Sequence, residues 1–98
     1  KIMLTGKQRA FLRGKAASEQ PIFQIGKGGV TDEIMKQLSN ALEARELIKI
    51  RVLDNAEADS YTVANTIAPM LGAEGVSVIG SKCVLYRKST KKQRIFFE

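Results

Sequence analysis

Apolar residues along this chain change their spacing several times, and each change marks an element. Leu4, Phe11 and Leu12 share one arc at a period of about 3.6 residues, with Arg9 and Arg13 on the opposite arc, so a helix is predicted over 7–17, preceded by Thr5. Ser18-Glu19-Gln20-Pro21 ends it, because the residue before a proline is pushed out of the helical region. Ile22-Phe23-Gln24-Ile25 reads as a short strand and Gly26-Lys27-Gly28-Gly29 as a loop. A second helix then opens at Thr31, with Asp32 and Glu33 at its positive end and Ile34, Leu38, Ala41 and Leu42 as its core stripe.

After Glu46 the period falls to two: Ile48, Ile50 and Val52 face one way and Lys49 and Arg51 the other, as in a half-buried strand. Asp59 or Ser60 is placed to cap a third helix with the stripe Tyr61, Ala64, Ile67, Ala68 and Leu71, in which Pro69 is expected to kink or reset the last turn. Gly72-Ala73-Glu74-Gly75 stops that helix. Val76–Ile79 and Cys83–Arg87, joined at Gly80-Ser81-Lys82, form an antiparallel hairpin.

The order helix-strand-helix-strand-helix-strand-strand implies an α/β chain of the α+β, two-layer type: a mixed four-stranded sheet with helices packed on it. Ninety-eight residues suffice for one core, taken here as a domain over 1–87, followed by a basic C-terminal tail over 88–98 whose 88–94 stretch is expected to be solvated and whose Ile95-Phe96-Phe97 either docks or is disordered. No apolar run approaches the roughly 20 residues of a membrane span, and Lys1-Ile2-Met3-Leu4 leads directly into polar residues without a secretory core, so a cytoplasmic protein with no membrane partner is expected.

Histidine is absent and Cys83 is the one cysteine, which excludes disulfides within the chain, Cys/His zinc sites and histidine-based catalysis. Cys83 lies in an apolar stretch and reads as a buried structural thiol. No Walker loop is present, and Thr31 stands where a dinucleotide fingerprint needs glycine. Asp32 and Glu33 read as dipole partners in preference to an acid-base pair. A non-enzyme with no cofactor, metal or small-molecule substrate is therefore expected.

Charge then changes the picture. Residues 1–15 carry five cations and no acid, residues 16–81 five cations and nine acids, and residues 82–98 six cations and one acid. Two cationic ends around a mildly acidic middle attract polyanions, of which RNA is the abundant cytosolic one. Gly26-Lys27-Gly28-Gly29, between a strand and a helix N-terminus, lets backbone approach phosphate closely, with Lys27 as the cation at its tip. Lys7, Arg9 and Arg13 add a helix face free of acids. Lys49 and Arg51, and in the tail Lys88, Lys91, Lys92 and Arg94, form a secondary set.

Leu4-Thr5-Gly6-Lys7-Gln8-Arg9, Leu12-Arg13, Ile25-Gly26-Lys27-Gly28-Gly29, Glu46-Leu47-Ile48-Lys49-Ile50, Val78-Ile79-Gly80 and Leu85-Tyr86-Arg87 stand in the order of the CRM domain. The chain resembles that family over about residues 4–87, specifically its stand-alone bacterial YhbY-type form. The resemblance implies a fold similar to the C-terminal domain of translation initiation factor three, with the glycine loop and neighbouring basic surface binding RNA. For bacterial members it also implies association with precursor rRNA of the large ribosomal subunit. A monomeric ribosome-assembly factor is the leading expectation. A translation or intron-splicing accessory factor, a phosphate-handling enzyme and a protein-interaction module are the alternatives.

Overall fold

The computed structural model describes residues 4–97. Lys1-Ile2-Met3, which enter the charge and leader readings, and Glu98 lie outside the described residues. Seven elements follow one another: α1 (Gly6–Ala17), β1 (Phe23–Ile25), α2 (Asp32–Arg45), β2 (Leu47–Val52), α3 (Ser60–Leu71), β3 (Glu74–Ile79) and β4 (Lys82–Tyr86). Each helix starts on a side-chain cap. Thr5 Oγ1 accepts from the Gln8 amide while Gln8 Oε1 accepts from the Thr5 amide, Thr31 accepts from Ile34, and Asp59 accepts from Thr62.

The sheet has the order β1-β2-β4-β3, with β1 parallel to β2 and β4 antiparallel to both β2 and β3. Period-two alternation in β2 and β4 supplies two separate cores. Ile48, Ile50, Val52, Cys83 and Leu85 pack under α2 and α3 with Leu38, Leu42, Val63 and Ile67. Leu47, Val84 and Tyr86 turn the other way and meet Leu12 and Ala16 of α1. No helix among the described residues is long and apolar enough to cross a membrane.

Two side chains depart from the sequence reading. Tyr61 is 65% exposed, because Ser60 takes the inward position and donates its hydroxyl to the Gly80 carbonyl at 2.6 Å. The inward stripe then runs through Val63, Ala64, Ile67, Ala68 and Leu71. Phe11 is half-exposed beside the buried Leu12, its ring edge-on to Phe97 at 5.9 Å and under the Lys15 ammonium. Pro69 sits within α3, which continues to Leu71 and ends on Gly72 in the left-handed conformation.

The C-terminal segment is not the unanchored tail expected from its charge. Glu46, fully buried at the end of α2, accepts the backbone amides of Ser89 at 2.7 Å and of Arg94 and Ile95 at 2.6 Å each. Glu43 accepts from the Ser89 hydroxyl and from the Thr90 and Lys91 amides. Ile95 is buried in the α1-side core, and Phe97 meets Tyr86 edge-on at 5.7 Å. Two carboxylates that the charge count treated as part of an acidic middle thus organise the basic segment that follows β4.

Candidate nucleic-acid interface

The Gly26–Gly29 loop joins β1 to α2 at the C-terminal end of two parallel strands, where loops of α/β sheets face outward. The Gly29 amide donates to the Gly26 carbonyl at 2.9 Å, closing a tight turn with Lys27 and Gly28 at its tip. Its glycines have different reasons. Gly29 has φ +68°, a conformation that L side chains rarely adopt. Gly26 abuts the next loop, where a Cβ would stand in van der Waals contact, 3.4 Å from Asn55 Oδ1 and Leu53 Cδ1. Gly28 has neither constraint: its φ is ordinary and a Cβ would meet nothing within 4 Å.

Beneath the loop lies a cleft of about 230 Å³ walled by Lys27, Gly28, Ala56, Glu57 and Thr66. Glu57 in that wall, with Asp54 and Asp59 on the same β2–α3 loop, makes the side toward α3 unfavourable for phosphate. The α1 side of the sheet carries the cations instead. Arg51 stands on it at the end of β2, exposed, and Lys49 lies one row below, its ammonium donating to the Glu19 carbonyl at 3.0 Å.

The remaining site residues fall into three places. Lys7 and Arg13 are exposed on α1. Arg9 lies partly buried and donates from its guanidinium to the Gly75 carbonyl of β3, at the sheet edge opposite β1 and the loop. Lys88, Lys91, Lys92 and Arg94 are exposed on the anchored C-terminal segment at the far end of α2, a helix of 14 residues and hence about 20 Å long. Lys82, which the sequence reading placed in a turn, is the first residue of β4 and pairs directly with Arg51. Only strand register reveals that neighbour. Cys83 is fully buried under α2 and α3, and desolvation pushes its thiol up to about 11, as for a structural cysteine.

The element order, with a glycine-rich loop leading from an edge strand into a helix, defines the class: a small α+β domain built on a mixed four-stranded sheet. The chain belongs to the CRS1/YhbY (CRM) domain family, whose model matches residues 4–87. It is 50% identical over 93 residues to the protein named probable RNA-binding protein YqeI of Bacillus subtilis, covering 95% of this chain and 97% of that one. A Haemophilus influenzae protein named RNA-binding protein is 35% identical over 86 residues, covering 88% and 87% of the two chains. The solution structure of a hypothetical protein from Staphylococcus aureus superposes with a TM-score of 0.81 at 46% identity, covering 98% of this chain and all of that one.

Proposed function

We propose that this protein is a non-catalytic, monomeric RNA-binding factor that associates with precursor rRNA of the large ribosomal subunit in the cytoplasm. Its RNA sits against the Gly26–Gly29 loop, with exposed cations of the α1 side of the sheet flanking it. The observation that carries this reading is Gly28. Nothing lies within 4 Å of where its Cβ would stand at the tip of the turn, so the backbone there is open to a phosphate arriving from outside, next to the exposed Lys27 cation. Relatives named for RNA binding support the same choice of polyanion. The large-subunit target follows from the family resemblance.

The test is the double variant Lys27→Asp with Gly28→Asp, which places two anions where phosphate approaches. RNA binding is expected to vanish while the thermal transition stays in place; unchanged affinity in the folded variant would remove the loop from the site. With four to six phosphate contacts, log Kd against log salt should have a slope of about 3 to 4. Co-sedimentation with a large-subunit precursor in a gradient of cell extract checks the target.

A further inference from the structure

The strip of sheet that α1 leaves uncovered crosses all four strands in one row, Gln24 of β1, Arg51 of β2, Lys82 of β4 and Ile79 of β3, in register. Their neighbours Ile50 and Cys83 pack under α2 and α3, so Arg51 and Lys82 both project to the α1 side. All four are exposed, and Ile79 is 72% so. Arg51 and Lys82 are directly opposed across an antiparallel pair, where Cβ atoms stand about 5 Å apart and like charges destabilise the sheet. Among the described residues neither cation has an ion-pair partner.

From this register we infer that Arg51 and Lys82 form a two-cation seat for one backbone phosphate of a bound RNA strand, with exposed Ile79 beside it as an apolar rest for the attached ribose or base. The inference rests on the RNA-binding reading and adds the path. The strand leaves the Lys27 loop at the end of β1 and runs over the strand ends on the α1 side, a width of about 14 Å for four strands. It avoids the cleft walled by Glu57. One phosphate between two cations that repel each other when empty accounts for both the unpaired charges and their exact opposition.

The seat makes a prediction that ordinary solvated cations do not, because stability and affinity should move in opposite directions. Lys82→Glu places an acid opposite Arg51, so the melting temperature should hold or rise. Binding of labelled fragments of large-subunit precursor rRNA should weaken about tenfold, and the salt slope should drop by about 0.7, one phosphate's worth. Should Lys82→Glu fail to fold, Arg51→Ala with Lys82→Ala removes the repulsion without adding a group and should show the same slope loss. Full affinity and an unreduced slope in these variants, with binding still abolished by the Lys27 and Gly28 double variant, would overturn the seat and leave the proposed function standing. Binding that survives the loop variant but is lost with Lys82→Glu would keep the seat and overturn the loop. A wild-type protein that binds none of these fragments would remove both.

Discussion

Helix α2 is flanked by two residues at positive φ, Gly29 before its start and Glu46 at its end, both at +68°. At the start a glycine adopts that conformation without steric cost, and the adjoining turn is left open. At the end a glutamate adopts it at a cost of about 1–2 kcal/mol. The return is a buried carboxylate holding three backbone amides of the C-terminal segment. One end is completed by the protein itself and the other is left open. An open glycine turn with Lys27 at its tip marks one end, and a buried carboxylate bonded to three amides marks the other.

The strongest way to break the closed end is to delete what it holds. Truncation after Arg87 removes the amides on Glu46 and the buried Ile95 together, and should cost about 4 kcal/mol or more in urea unfolding. A loss below about 1 kcal/mol would mean that the segment is docked without contributing to the fold. RNA affinity measured on the truncated protein must therefore be corrected for its folded fraction.

Glu46→Ala should come next, at about 3 kcal/mol, because it strands the Ser89, Arg94 and Ile95 amides and keeps the left-handed backbone. Glu46→Gly separates those contributions: it recovers about 1 kcal/mol of backbone strain and nothing of the hydrogen bonds. Equal stability of the two variants would show that Glu46 carries no backbone strain.

The open end should respond in the opposite sense. Gly28→Ala meets no atom and needs no unusual φ, so it should stabilise the free protein by up to about 1 kcal/mol through the unfolded chain while weakening RNA binding. Gly29→Ala should instead lose about 1–2 kcal/mol. If Gly28→Ala binds RNA as tightly as the wild type, close backbone approach at the loop is wrong.

The smallest effect concerns pH. The Ser89 hydroxyl, with the Thr90 hydroxyl and the Thr90 and Lys91 amides, holds the Glu43 carboxyl down from 4.5 to about 2. A depressed carboxyl stabilises the folded form fully above its unfolded value, so this contribution is complete above about pH 4.5 and is lost as pH falls through about 2. Glu43→Gln should flatten the acid limb of stability in that window. The ring resonances of Phe97 are a local probe of the docked segment, and an unchanged acid limb would show that Glu43 does not govern it.

Much of the architecture was legible because local chemistry and tertiary packing agree. Caps at Thr31 and Asp59, alternation in Leu47–Val52 and the glycine after Leu71 each specify the backbone that the fold uses. The expectations failed where a distant group competed. Tyr61 lost the inward position to Ser60 because the Gly80 carbonyl lies across the helix, and the basic tail found two carboxylates more than 40 residues earlier in the chain. Of the proposed site, the position and turn of the loop were readable from its glycines and its place between a strand and a helix. The placement of Arg9 was not, because its guanidinium bonds a β3 carbonyl at the sheet edge opposite the loop.

The amino-acid sequence alone determined the elements, their order, the buried thiol, and a loop of glycines with a cation at its tip, since these depend on residues within a turn or two of one another. Tertiary structure decided which charges stand together. Arg51 and Lys82 are 31 positions apart and become opposed only through the β2–β4 register, while Lys27 and the cations of the C-terminal segment are separated by the length of α2. Coulomb interactions depend on distance in space, and a list of charged residues contains none of those distances until the strands pair.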